Sequence, residues 1–171
     1  YLQRKGIPIT SPMAVGVNER VYSHIKSNLV AGSKVLAEER GEPEDMIGTG
    51  MRNSHLMAIA PNATSSVLCG NTSPSIEPNA SNAYIHKTLS GSFLVKNKDL
   101  TPVLEKYGQN TNKVWDSITS KNGSVQHLDF LSDWDKSVFL TAREIPQLAL
   151  IELAGKRQKH VCQGQSLNLF L

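Results

Sequence analysis

Residues 60–66 carry the strongest local signal for chemistry. An apolar run over 56–60 leads directly into small, turn-forming and hydroxyl-bearing residues: Pro61, Asn62, Ala63, Thr64, Ser65 and Ser66. Small residues let a phosphate approach the backbone, and a helix that begins here offers unpaired N–H groups and the positive end of its dipole. The segment therefore predicts an anion site whose ligand is a phosphate. Capping of a short helix by Thr64 or Ser65 explains the same residues, since Ser and Thr are common caps.

Other residue types that could do chemistry form weaker patterns. The five histidines show no spacing that places two on one helical face, so they predict no metal site. His127 and Asp129 are either a base with its orienting carboxylate or two residues on one face of a strand. Cys69 is either a thiol in a pocket or a buried structural cysteine. Glu77, alone in a loop, is expected to be solvated.

The composition bounds the class of protein. The 171 residues are 39% hydrophobic and 19% charged, which is typical of a globular domain and argues against a disordered, collagen-like or coiled-coil chain. The net charge of +3 comes from basic residues scattered among acids, whereas nucleic-acid binding normally needs a clustered basic face. No apolar run approaches the roughly 20 residues of a membrane span. We therefore expect a cytoplasmic protein without direct nucleic-acid or membrane contacts.

Hydrophobic spacing predicts the elements that must position the loop. A helix is predicted over 18–40, capped by Asn18, and apolar strands are predicted over 56–60, 93–95 and 165–171. Further helices are predicted after Thr101, over 112–121, after Ser132 and from Pro146 to about Lys159. Strands, loops and helices alternate, which favours an α/β fold with parallel pairing. Because the chain stops inside its last predicted strand, we expect it to be a piece of a longer protein.

Four segments resemble the large (alpha) subunit of ribonucleotide reductase. The first, residues 51–66, holds an arginine–asparagine pair, the apolar strand, a proline and the hydroxyl-rich loop, and the second is the Ser-Ile-Glu-Pro sequence at 75–78. The others are Lys-Thr-Leu-Ser-Gly at 87–91 and Cys-Gln-Gly-Gln-Ser-Leu-Asn-Leu-Phe at 162–170. Their order and spacing are similar to those of class I enzymes of bacteria and phages.

The resemblance implies a fold and a function. Family members have a ten-stranded α/β barrel made of two half-barrels, so residues 1–171 would be an incomplete half-barrel from the C-terminal half, with no separate second domain. In the family, the loop that corresponds to 61–66 holds the substrate diphosphate. The chain would then be a nucleotide-binding part of a ribonucleoside-diphosphate reductase. That oxidoreductase converts ribonucleotides to deoxyribonucleotides by radical chemistry and so supplies deoxyribonucleotide biosynthesis and DNA replication.

Several parts of the family's machinery have no counterpart in this sequence. The Asn-x-Cys-x-Glu motif is absent, and neither Cys69 nor Cys162 matches the family's radical or redox cysteines. We therefore expect no catalytic residue and no cofactor in this segment, and no activity from it alone. The parent enzyme is expected to use a metal-radical small subunit and ATP or dATP effectors. The resemblance also implies as partners the remainder of the large subunit, the small subunit, and thioredoxin or glutaredoxin as reductant. The alternative is a non-enzymatic phosphate-binding or partner-interaction module derived from such a barrel.

Overall fold

The computed structural model describes residues 1–70, 72–89 and 91–170. The chain forms two compact units, one from the described parts of residues 1–14, 62–150 and 167–171, the other from residues 15–61 and 151–166. Among the described residues, no helix is both long enough and apolar enough to cross a membrane.

Helices provide most of the regular structure. In chain order the elements are α1 (Pro12–Arg40), α2 (Ala63–Leu68), β1 (Ala83–Thr88), β2 (Gly91–Lys96), α3 (Thr101–Lys106), α4 (Asn112–Ser120), α5 (Asp133–Val138) and α6 (Gln147–Gln158). Strands β1 and β2 form an antiparallel hairpin in which Ala83 pairs with Lys96 and Ile85 with Leu94. The structure confirms a strand at 93–95, whereas its partner β1 is a strand that the sequence did not predict.

The core of the first unit surrounds the fully buried Trp115 of α4. Val114, Trp115 and Ile118 lie on one face of this helix, and the Thr111 hydroxyl accepts a hydrogen bond from the Val114 N–H at its start. Helix α5 begins as predicted, because the Ser132 hydroxyl accepts a hydrogen bond from the Asp135 N–H at 3.1 Å. The main apolar residues around Trp115 are Leu100, Leu104, Val125, Leu128 and Phe139.

A buried asparagine joins the start of β1 to this core. The Asn82 Nδ2 donates to the carbonyl oxygens of Gly123, at 3.0 Å, and Phe139, at 2.7 Å. Its Oδ1 accepts from Asn97 Nδ2 at 2.8 Å. The backbone of Gly123 approaches the same residue so closely that a Cβ there would lie 2.6 Å from the Asn82 nitrogen, and the φ of Gly123 is +81°. Only glycine fits this contact without a shift of the backbone.

In the second unit, Arg157 of α6 is buried, with 6% of its surface exposed. Its Nε donates to Gln165 Oε1 at 2.8 Å and its Nη1 to Asn18 Oδ1 at 2.9 Å, while the guanidinium lies 5.2 Å from the Tyr22 ring centroid. Burial lowers the pKa of Arg157. In the described part of the chain, no carboxylate pairs with this cation.

The long helix begins earlier than predicted. Asn18 lies inside α1, where its side chain bonds Arg157 and the Leu153 carbonyl oxygen, so the prediction that it caps the helix is wrong. Instead, the Ser11 hydroxyl accepts a hydrogen bond from the Ala14 N–H at 3.3 Å, and Pro12 is the first helical residue, a position that suits proline.

The predicted strands over 56–60 and 165–171 run side by side in parallel. Three hydrogen bonds connect these segments: Gln163 N–H to the Met57 oxygen at 3.2 Å, Ile59 N–H to the Gly164 oxygen at 3.0 Å, and Ser166 N–H to the Ile59 oxygen at 2.8 Å. The pairing forms one bridge, between Ile59 and Gln165, instead of two full strands. The direction of pairing is confirmed, and the length of the strands is shorter than predicted. Leu171 lies outside the described residues.

Candidate functional site

The six predicted site residues form one continuous segment that leads into α2. Asn62 is the N-cap residue, and its side chain makes no capping hydrogen bond. Ala63, Thr64 and Ser65 are the first three helical residues. The interpretation that Thr64 or Ser65 caps this helix is therefore wrong, because both residues lie within its first turn.

The start of α2 presents hydrogen-bond donors to solvent. The Ser66 N–H closes the first helical turn by donating to the Asn62 oxygen at 2.9 Å. Within residues 1–70, 72–89 and 91–170, the N–H groups of Thr64 and Ser65 have no acceptor, as is usual for the first turn of a helix. The side chains of Thr64 and Ser65 are exposed, whereas Ser66 is buried with 7% of its surface exposed. The N–H groups of Thr64 and Ser65 and the Thr64 hydroxyl are thus available to an anion, whereas the Ser65 hydroxyl makes a long hydrogen bond to the Asn62 oxygen, at 3.5 Å.

A neighbouring segment, residues 72–77, contacts both ends of this turn, and we call it the wall segment. The Asn62 N–H donates to the Pro74 oxygen at 2.8 Å, and the Thr72 N–H donates to the Ser66 oxygen at 3.2 Å. The wall segment thus fixes the backbone immediately before and after the exposed donors of Thr64 and Ser65.

Glu77, at the end of the wall segment, is buried, with 4% of its surface exposed. Its Oε1 accepts from Asn168 Nδ2 at 2.6 Å, and its Oε2 lies 3.4 Å from the Asn168 nitrogen, which donates to it. The expectation of a solvated acid is therefore wrong. The sequence signal for this burial is the pair of apolar neighbours of Glu77, Ile76 and Pro78, which are both half-buried.

His127 lies in a turn, so the interpretation that it shares a strand face with Asp129 is wrong. Its Nε2 is 2.8 Å from the Ser117 hydroxyl oxygen. Burial lowers the pKa of His127, Lys121 lowers it further, and Asp129 acts in the opposite direction. Among the described residues, no three His, Cys, Asp or Glu side chains come together in a group that could hold a metal ion.

Both cysteines are exposed, so the interpretation of Cys69 as a buried structural residue is wrong. Cys69 follows the last residue of α2. The Sγ of Cys162 accepts hydrogen bonds from the N–H groups of Leu56, at 3.0 Å, and Met57, at 3.1 Å. Bonding to the Met57 backbone, and then to that of Leu56, lowers the pKa of Cys162. The Cys162 thiol therefore loses its proton more readily than an ordinary cysteine thiol, and it lies outside the predicted loop.

Comparison with known proteins assigns the family. The model of the ribonucleotide reductase barrel domain matches residues 43–171, which is most of the chain. The chain belongs to the ribonucleotide reductase family. The resemblance that the sequence motifs indicated is thereby confirmed.

Individual members of the ribonucleotide reductase family match over most of this chain. A ribonucleoside-diphosphate reductase large subunit of Invertebrate iridescent virus 3 is 48% identical over 173 residues, covering 99% of this chain and 28% of the viral protein. A ribonucleoside-diphosphate reductase subunit alpha of Chlamydia muridarum is 42% identical over 122 residues, covering 71% of this chain and 12% of that protein. The chain thus spans less than a third of the length of these relatives.

A solved ribonucleotide reductase also matches the fold. The class Id ribonucleotide reductase alpha subunit of Actinobacillus ureae matches with a TM-score of 0.91 and 40% sequence identity. The match covers 100% of this chain and 31% of that subunit. The predicted fold class, part of the α/β barrel of ribonucleotide reductase large subunits, is confirmed.

Proposed function

We propose that this chain binds the diphosphate of a ribonucleotide substrate as part of a ribonucleoside-diphosphate reductase large subunit. The observation that carries the proposal is the uncapped start of α2, where the N–H groups of Thr64 and Ser65 have no acceptor within the described residues and their hydroxyl groups are exposed. Family membership supplies the substrate class, because the relatives are named ribonucleoside-diphosphate reductases.

Hydrogen bonds account for the binding better than the helix dipole does. Helix α2 has six residues, so its dipole is small, whereas each N–H or hydroxyl bond to a charged phosphate oxygen contributes about 1.5–3 kcal/mol. Backbone donors remain when a side chain is replaced. We therefore expect a hydroxyl deletion to weaken binding without abolishing it.

The chemical step belongs to other parts of the enzyme in this proposal. The sequence contains no Asn-x-Cys-x-Glu motif, so the radical cysteine would come from the remainder of the large subunit. The small subunit would supply the radical, and thioredoxin or glutaredoxin would supply the electrons. ATP or dATP would regulate the enzyme. Among the described residues, no three His, Cys, Asp or Glu side chains form a group that could hold a metal ion.

Three substitutions in the assembled reductase test the proposal. Ser65→Ala removes one hydroxyl donor, and we expect the KM for a ribonucleoside diphosphate to rise about ten- to a hundredfold, the equivalent of about 1.5–3 kcal/mol. Ser65→Asp is expected to raise KM more, because a carboxylate would face the diphosphate. Thr64→Pro is expected to raise it most, because proline removes an N–H donor.

Ser120→Ala is the matched control. Ser120 is an exposed helical serine whose hydroxyl donates only to the Ser117 carbonyl oxygen, at 2.8 Å. It should leave KM unchanged. If Ser65→Asp has the same KM as the parent, the loop does not bind the diphosphate and the proposal fails.

A further inference from the structure

We infer that Glu77 is a positioning residue for the proposed diphosphate loop, residues 61–66, and that it acts through its buried hydrogen bonds to Asn168. The inference rests on the proposed function, because it concerns how the donors of Thr64 and Ser65 are held in place. Glu77 does not itself lie in the loop, and its carboxyl group bonds a residue that is 91 positions away in sequence.

The wall segment sets the position of the loop backbone. It accepts the Asn62 N–H at the Pro74 oxygen and donates the Thr72 N–H to the Ser66 oxygen, so it bonds residues on both sides of the exposed donors. A displacement of the wall segment therefore moves or releases the first turn of α2. Because these two bonds are to the backbone, side chains in the loop have little influence on them.

Glu77 fixes the far end of the wall segment. Its carbonyl oxygen accepts a hydrogen bond from the Ser73 hydroxyl, which closes the segment on itself, and its carboxyl group bonds the backbone and the side chain of Asn168. The segment that contains Asn168 is held in turn, since the Phe170 N–H donates to Gln147 Oε1 at the start of α6, at 3.0 Å. The wall segment is thus attached to a helix instead of resting freely against the loop.

Packing alone does not explain an acid at this position. Glu77 is buried, and in the described part of the chain no Lys, Arg or His forms an ion pair with it. Burial of a carboxyl group without a cation costs free energy that an apolar side chain would not. What the acid provides in return is a two-point contact with one asparagine, and such a contact fixes orientation as well as distance.

Variants that break, and then reverse, the donor and acceptor of the Glu77–Asn168 contact test the inference in the assembled reductase. Asn168→Asp places two carboxyl groups against each other, and Glu77→Ala removes the contact. In both, we expect the KM for a ribonucleoside diphosphate to rise about tenfold or more with kcat nearly unchanged, since small displacements of positioning groups are felt on this scale. The double variant Glu77→Gln, Asn168→Asp restores a donor opposite an acceptor, and we expect its KM to return close to that of the parent.

Glu105 provides the matched control, because it forms a Glu–Asn pair with Asn110 at 3.1 Å on the exposed surface. Glu105→Ala should change neither kcat nor KM. A role in stability alone would lower the folded fraction, and therefore the apparent kcat, in Glu77→Ala while KM stays constant, and that result would overturn the inference.

The outcomes separate the inference from the proposed function. If Ser65→Asp leaves KM unchanged, the loop does not bind the diphosphate and both fail. If Ser65→Asp raises KM but Glu77→Ala does not, only the role of Glu77 is refuted. Should Glu77→Ala fail to assemble, the double variant decides: a KM that stays as high as that of Asn168→Asp overturns the inference.

Discussion

Replacement of Asn82 should destabilise the first unit more than its small size suggests. Asn82→Ala removes the two bonds that its Nδ2 donates to the carbonyl oxygens of Gly123 and Phe139, and the one that its Oδ1 accepts from Asn97. Each hydrogen bond contributes about 0.5–1.5 kcal/mol net. The Gly123 oxygen keeps a bond from the Asn82 N–H at 3.2 Å, so it is not left without a donor. We therefore expect a loss of about 2–4 kcal/mol in the free energy of unfolding.

Asn82→Asp should be worse, although the side chain keeps its shape. It replaces the donor nitrogen by an oxygen that faces two carbonyl oxygens in a site with 3% exposure, so we expect a loss of about 3–5 kcal/mol. Urea unfolding followed by tryptophan fluorescence, to which the buried Trp115 contributes, measures both losses. Asn28→Asp, on the exposed surface of α1, is the control. A value for Asn82→Asp within about 1 kcal/mol of the parent would refute the reasoning.

Two further predictions concern the second unit. Arg157→Lys should lower the free energy of unfolding of this unit by about 1–3 kcal/mol, because an ammonium cannot reproduce the guanidinium donors that bond two separate amide oxygens. Urea unfolding monitored by circular dichroism measures the loss. An unchanged unfolding midpoint would contradict this prediction. Iodoacetamide should alkylate Cys162 at a lower pH than it alkylates the cysteine of a short unstructured peptide, because the pKa of Cys162 is lowered. Mass spectrometry across a pH series measures both rates, and equal pH profiles would refute the second prediction.

Sequence signals predicted the elements that are stabilised by contacts between residues close together in the sequence. Ser132 caps α5 through a residue three positions away, and the helix at Asn112 follows from apolar residues spaced on one face. The start of α1 was mispredicted because Asn18 is a cap by residue type, whereas its partner Arg157 is 139 residues away. Strand β1 was missed because the pairing with β2, rather than its own pattern of burial, holds it extended.

In the candidate site, too, the sequence predicted features that depend on neighbouring residues and missed those that depend on distant ones. The position of the loop follows from residue types in one short segment, and the structure places a helix start there. The sequence could not show that Ser66 is buried while Thr64 and Ser65 are exposed, because this depends on where the wall segment lies. Nor could it show the role of Glu77, since burial of an acid depends on a partner that only the folded chain brings near.

The close contact at Gly123 limits how this region can change during evolution. A side chain at this position would have to move the backbone at Ser81 or Asn82, and the same backbone begins the hairpin, so no single compensating substitution relieves the overlap. Insertions and deletions are equally restricted, because one added residue on either side would separate the two backbones. Exposed positions of the hairpin, such as Ile85 and Phe93, can therefore vary, whereas position 123 at its base is restricted to glycine.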